Sequence, residues 1–283
     1  MSSPAQRLSP FWLSLGVVAG LYLFFLVAML VATAGYSSPD KLWEALGKRE
    51  IQHSIVLSLI TCTVTALLSL LLAVPVGYLL ARARFPGKHW LEAALDIPIV
   101  LPPMVMGLCL LILFQTPFGQ FVENLAIRFP GYSLGPITLP RFTLGPITFT
   151  YTVFGVVLAQ FTIGAAFAVR TMRHTFDHLS ARPEDVAMTL GCTRAQAVWL
   201  VTLPAARRGM FAAASVAWAR SLGEFGPILV FAGATRMKTE VLPTTVWLEL
   251  SVGNLEAAVA VSLLMVLCAM CVLAAVKWVG EEV

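Results

Sequence analysis

The sequence predicts an all-α polytopic membrane protein with about six transmembrane helices, and three observations carry that expectation. Of 283 residues, 58% are hydrophobic and only 12% are charged, about half the roughly 25% charged content of a soluble domain. The apolar residues fall in long uninterrupted runs, each near the ~20 residues that a helix needs to cross a bilayer. Lys and Arg are divided unequally between alternate connectors, as they are where positive loops stay in the cytoplasm.

Six runs qualify: about 11–34, 55–81, 97–115, 149–169, 210–233 and 257–276. Inside lipid every backbone polar group needs an internal partner, so the runs are helices. The first run follows Arg7 and ends in Ala32-Thr33-Ala34, which resembles a signal-peptide cleavage site. Its apolar stretch exceeds the usual h-region of about 7–15 residues, which favours a retained span. With the N-terminus inside, eleven Lys and Arg residues fall on the cytoplasmic side and seven on the other, with Arg220 inside a span.

The connectors differ. Residues 130–148 contain LGPIT twice, at 134–138 and 144–148. Gly-Pro turns with β-branched neighbours predict a small extracytoplasmic hairpin, with a plain connector as the alternative. The net charge of +4 is small, and no Lys/Arg cluster interleaved with aromatics points to nucleic acid. Cys62, Cys109, Cys268 and Cys271 lie in apolar runs and Cys192 in a polar stretch, so no disulfide framework is implied.

That polar stretch, EDVAMTLGCTRAQAVWLVTLP at 184–204, is the one long cytoplasmic connector. Pro183 suits a first helical turn, Glu184 and Asp185 place negative charge at its positive end, and Gly191 ends or bends it. Thr193 is placed to cap a second helix running into Trp199 and Leu200, which Leu203-Pro204 is expected to stop before Arg207 and Arg208 re-enter the membrane. Ala187 and Gly191, four apart, allow a close approach to a partner surface. A solvated linker is the alternative.

The spacing of Asp185-Val186-Ala187, then Gly191, then Val201, Leu203 and Pro204 resembles the E-A-A, three residues, G, nine residues, I-x-L-P signature of permease subunits of ABC importers. Asp185 replaces the signature's Glu and Val186 its first Ala. The resemblance implies that about 182–204 is a coupling helix that docks in a cleft of a separate ATP-hydrolysing subunit. ATP and magnesium would then belong to that partner and no cofactor to this chain, which is a permease rather than an enzyme. In keeping with this, the sequence lacks a G-x-x-x-x-G-K-[ST] phosphate loop.

A second resemblance narrows the group. Glu224-Phe225-Gly226, Phe231-Ala232-Gly233, Lys238-Thr239 and Leu242-Pro243, with IPIVLPPMVMGLCLLILF at 97–114, are similar to permeases for sulfate, molybdate and tungstate. The likeness covers roughly 52–276. It implies a core domain at 51–283 with residues 1–50 as an added helix and connector. It also implies two ATPase subunits, a second permease copy and an extracytoplasmic solute-binding protein, in a cell membrane with the N-terminus inside. The implied cargo is a tetrahedral oxyanion, molybdate or tungstate ahead of sulfate, with ferric iron or an organic solute as the alternative.

Arg220 falls near the bilayer centre, where a charge is expensive and usually faces a bundle interior or water. Glu224, one turn on, is positioned to pair with it. Two readings remain open: a salt bridge that locks the span, or a cation that lowers the barrier to an anion. Pro75, Pro98, Pro102 and Pro103 predict kinks or irregular starts in the second and third spans, with Pro98, Pro102 and Pro103 as candidate pathway backbone. The small faces of Ala212, Ala213, Ala214, Ser215, Ala217 and Ala219 predict close helix packing. His174 and His178 have a metal-pair spacing without the Glu of a zinc-protease helix, so a metal-dependent hydrolase is a distant alternative and no metal site is expected.

Overall fold

A computed structural model of the chain describes residues 10–36, 38–124, 127–129, 133–134, 137–138, 142–144 and 148–281. The helices begin with α1 (Pro10–Gly35), α2 (Pro39–Gly47) and α3 (Arg49–Arg82), followed by α4 (Lys88–Val100), α5 (Pro103–Gln115) and α6 (Pro117–Glu123). Four short strands come next: β1 (Ile127–Phe129), β2 (Ser133–Leu134), β3 (Ile137–Thr138) and β4 (Phe142–Leu144). The remaining helices are α7 (Val153–His178), α8 (Arg182–Thr189), α9 (Arg194–Ala197), α10 (Leu203–Leu222), α11 (Gly226–Phe231), α12 (Leu242–Ser251) and α13 (Leu255–Glu281), with a π-helical turn, Val198–Thr202, joining α9 to α10.

Among the described residues, α1, α3, α7 and α13 are each long and apolar enough to cross a membrane. The third expected run forms α4 and α5, bent by 111° at Leu101-Pro102. Pro102 and Pro103 explain the break: neither has an N–H to give, and a proline ring excludes the α conformation from the residue before it. Pro98 sits within α4 and Pro75 within α3 without ending either helix. The fifth expected run is not one helix. It divides into α10 and α11 around Gly223-Glu224-Phe225, where a buried carboxylate and the Gly226-Pro227 pair interrupt the apolar sequence. The anticipated hairpin is present as two nested antiparallel ladders between 127 and 144, with β1, just before the 130–148 segment, paired to β4 and β2 paired to β3. Its base is clasped by Glu123, whose Oε1 accepts from the amides of Phe149 and Thr150 at 2.9 and 3.1 Å.

The heart of the bundle is α3, α7 and α10. Ala213 and Ala217 are fully buried there against Ala73, Ala168 and Met172, so the small face of α10 is a packing face. A polar seam also runs down α3 through Ser54, Ser58, Thr61, Thr65 and Ser69, all buried. Thr65 donates to Gln160 Oε1 at 3.2 Å, and Gln160 Nε2 donates to the Ser221 carbonyl at 3.3 Å, which also accepts from the Glu224 amide at 3.2 Å, so the seam is tied to the C-terminal turn of α10. At the end of the bundle where α3 begins, Arg236 pairs with Glu50 and, at 3.0 Å, with Glu249. Glu240 lies beside them, fully buried, and among the described residues neither carboxylate oxygen has an aligned hydrogen-bond partner.

Burial pushes the Glu240 carboxyl above its ordinary value, with the nearby Thr245 hydroxyl and Arg236 opposing the effect and Glu50 and Glu249 adding to it. Between the ordinary value of 4.5 and that raised value the folded chain holds a proton that the unfolded chain has lost. Folding stability therefore falls as pH rises through the window. Glu240→Gln removes the charge and keeps the shape, so it is expected to raise the Tm of the detergent-solubilised chain at pH 7.5 by about 3 °C. At pH 4.0 the gain should vanish. An unchanged Tm difference across that range in a thermal-shift titration would contradict the assignment.

Candidate functional site

Two places combine unusual backbone with functional side chains: the connector between α7 and α10, and the break between α10 and α11.

In the connector, Pro183 stands in the first turn of α8 and the helix ends in a left-handed residue, Gly191, at φ +97°. The Gly191 amide donates to the Met188 carbonyl and the Cys192 amide to the Ala187 carbonyl, both at 3.1 Å. This nested pair of bonds is the Schellman termination, and only glycine enters it without a Cβ penalty. Thr193 then caps α9 in a reciprocal capping box with Gln196, as its sequence position predicts.

Leu203-Pro204 does not stop the helix, contrary to the sequence expectation. The chain passes from α9 through the π turn, in which the Leu203 amide bonds back to Val198, and continues as α10 with Pro204 in its first turn. A widened turn absorbs the missing proline donor and makes room for the ring, so a continuous path links the connector to α10. Val201 lies in the π turn, and Leu203 and Pro204 open α10.

The two acidic residues of α8 part company. Asp185 is exposed beside Val186 and Leu190, which are 56% and 81% exposed. Ala187 is half-buried, and none of the described residues crowds Gly191. Together these residues form a small outward knob with an apolar tip. Glu184 turns inward and is buried, where it accepts from the Tyr78 hydroxyl of α3 and, at 3.1 Å, from the Thr202 hydroxyl of the π turn. Its tie to α3 escaped the sequence reading, because adjacent acidic residues in a first turn give no sign of which one faces the protein.

At the second place Arg220 Nη2 lies 3.0 Å from Glu224 Oε1, forming the anticipated i,i+4 pair. The contact is ionic without being aligned as a hydrogen bond. The partners differ in access: the Glu224 side chain is 2% exposed and that of Arg220 is 40% exposed. The guanidinium also sits over the Phe167 ring of α7, 5.3 Å from its centroid, in cation–π geometry. Pro103 joins this site because Gly226 packs against it. A Cβ at Gly226 would fall 2.9 Å from the Met104 nitrogen and 3.1 Å from the Pro103 carbonyl carbon. The two helix breaks, at Leu101-Pro102 and Gly223–Phe225, therefore meet beside the ion pair. Pro102 caps α5 at this junction, while Pro98 lies one turn back in α4. His174 and His178, both exposed, stack near the end of α7 with centroids 6.3 Å apart, and among the described residues no third metal ligand joins them.

The sequence profile of the family described as binding-protein-dependent transport system inner membrane component matches residues 73–283. The chain is 33% identical over 262 residues to the molybdenum transport system permease protein ModB of Mycobacterium tuberculosis, covering 92% of this chain and 90% of that protein. It is 31% identical over 223 residues to the molybdate/tungstate transport system permease protein WtpB of Thermococcus kodakarensis, with 75% and 78% covered. With the sulfate transport system permease protein CysT of Escherichia coli it shares 28% identity over 264 residues, with 91% and 88% covered. Among solved structures, a chain of a bacterial alginate ABC transporter in complex with an alginate pentasaccharide-bound periplasmic protein superposes with a TM-score of 0.68. That match covers 98% of this chain and 96% of the other at 14% identity, a likeness of fold alone. The profile match over most of the chain, together with these relatives, places the protein in the family of binding-protein-dependent transport system inner membrane components.

Proposed function

We propose that this chain is the membrane-spanning permease subunit of an ATP-driven importer of a tetrahedral oxyanion, with molybdate or tungstate ahead of sulfate. The observation that carries the reading is that relatives named for molybdenum, molybdate/tungstate and sulfate transport align along 75–92% of the chain. The exposed guanidinium of Arg220, set among apolar helices, supplies the attraction that such a cargo needs.

In this reading the knob of Asp185, Val186, Ala187 and Gly191 docks on a separate ATPase subunit, two of which serve a permease homodimer and carry ATP and magnesium. A solute-binding protein delivers the anion on the other face. Closure of the ATPase pair draws the two α8 helices together. Glu184 transmits that displacement to α3 through Tyr78 and to the π turn through Thr202. The π turn leads directly into α10, whose far end carries Arg220 and the junction with Pro103, so the pathway can switch its open side. Discrimination among anions would rest mainly with the binding protein.

The test is uptake of radiolabelled molybdate, tungstate and sulfate by proteoliposomes holding the permease with its ATPase and binding protein. Accumulation of any of the three that depends on ATP supports the reading. Accumulation of ferric iron or an organic solute in their place overturns the cargo.

The orientation has a separate test. With the N-terminus inside, Cys192, half-buried between α8 and α9, lies on the cytoplasmic face. A membrane-impermeant maleimide is expected to label it at least about tenfold more in inverted vesicles than in right-side-out ones. The other four cysteines are replaced by Ser or Ala in the labelled chain. The opposite ratio would invert the topology.

A further inference from the structure

Beside the connector lies a cavity of about 1070 Å³ that neither the docking knob nor the Arg220 junction uses. One wall is α3 from Leu70 to Arg82 with its C-cap Ala83, and the other runs from Arg194 through Trp199 to Met210. Its lining is almost entirely apolar, except for Tyr78 and three arginines, Arg82, Arg194 and Arg207. From Leu70 to Arg82 the α3 axis rises roughly 18 Å at about 1.5 Å per residue. That is close to half of a hydrocarbon core about 30 Å thick. The groove is thus one leaflet deep, with Arg82 at the headgroup level. Leu71 and Trp199, each 72% exposed, leave its flank open, and an indole at that depth is typical of a membrane–water boundary.

We propose that this groove binds one anionic phospholipid of the cytoplasmic leaflet, its phosphate held by Arg82, Arg194 and Arg207 and one acyl chain lying along α3. The proposal rests on the orientation proposed above. Arg82 spends Nη2 on the Leu179 carbonyl at 2.8 Å, while its buried Nε–H has no acceptor among the described residues. The neighbouring carboxylate, Glu184, is already engaged by Tyr78 and Thr202. Three guanidinium groups against one carboxylate leave the mouth net positive. A phosphate with no ammonium of its own satisfies that charge, whereas the choline of a zwitterionic lipid adds a like charge. Basic pockets between membrane helices on the cytoplasmic side select anionic headgroups by this arithmetic.

The experiment is native mass spectrometry of the full-length chain in mild detergent with equimolar phosphatidylglycerol and phosphatidylcholine. One phosphatidylglycerol per chain is expected, preferred about tenfold. Val74→Trp, which fills the groove, should remove it, and Arg207→Gln should bring the two lipids to near parity. Should Val74→Trp fail to purify, Leu71→Trp on the open flank reads the same property. Equal retention of both lipids by the wild type overturns the proposal, as does phosphatidylglycerol retention that neither tryptophan changes, since that is surface adhesion. Spontaneous cross-linking of two Leu71→Cys chains in native membranes overturns it too, assigning the groove to contact between copies. Lipid retention is read without ATPase or cargo, so its outcome is independent of the importer reading, and Cys192 labelling tests the orientation on its own.

Discussion

Arg220→Ala is expected to lower anion uptake by about 100-fold or more while the permease–ATPase complex still assembles. A unit charge 4 Å from an anion is worth about 4 kcal/mol at an effective dielectric of about 20. Each 1.4 kcal/mol is about tenfold, so even a partial loss of that attraction reaches two orders of magnitude. A confounding effect runs beside it. Removing the guanidinium strands Glu224, whose side chain is 2% exposed, and an uncompensated buried charge is strongly destabilising. Arg220→Ala combined with Glu224→Gln separates the two. The neutral amide relieves the burial cost, so the double variant should assemble like wild type on a native gel. If Arg220 serves the anion, uptake stays lost in the double variant, whereas uptake that returns with assembly would make the pair a structural lock. Arg220→Lys should retain part of the activity, because the charge survives while the flat contact with the Phe167 ring does not.

The sequence exposed this site unevenly, for identifiable reasons. The Arg220–Glu224 pair and the Thr193 cap were legible because each is local: one helical turn or one cap decides the contact. The long apolar helices were legible because bilayer thickness sets their length. Tertiary facts were not. Glu184 and Asp185 are chemically alike, and only the position of Tyr78, over a hundred residues away, decides that the first turns inward. The buried seam of Ser54, Ser58, Thr61, Thr65 and Ser69 has a readable helical spacing. It is lost when hydropathy is averaged over a span whose other residues are Leu, Ile and Val. Pro204 misled because a proline's usual effect is to end a helix, and the π turn that spares it depends on the path the chain must follow into α10. Pro102 and Pro103 were read correctly as a break, but their meeting with Gly226 depends on how α5 packs on α11.

The second large effect belongs to the connector, where docking and transmission should come apart. Gly191→Trp is expected to abolish co-purification of the ATPase subunit. No atom of the described residues lies within 4 Å of a Cβ at Gly191, so the indole meets no obstacle among them and projects from the knob. The left-handed φ of +97° adds a strain of roughly 1–2 kcal/mol for any side chain. Gly191→Ala carries that strain without the bulk and is the control: it should weaken docking modestly and leave the partner detectable by mass spectrometry. Glu184→Leu tests the opposite end of the mechanism. It leaves Asp185, Val186 and Leu190 outward and removes both hydroxyl partners' acceptor, bonds to a charged group worth about 1.5–3 kcal/mol each. The ATPase should therefore stay bound and hydrolyse ATP while anion uptake falls. Tyr78→Phe, which removes one bond and keeps the ring's packing on Phe176, should give an intermediate ratio of uptake to hydrolysis. If Glu184→Leu loses the ATPase as completely as Gly191→Trp does, the residue merely shapes the knob, and displacement of α8 reaches the membrane by another route. If hydrolysis and uptake fall in equal proportion with the ATPase still bound, the tie does not carry the stroke. Only an uncoupled variant, hydrolysing without importing, matches a carboxylate that joins the docking helix to α3 and to the turn leading into α10.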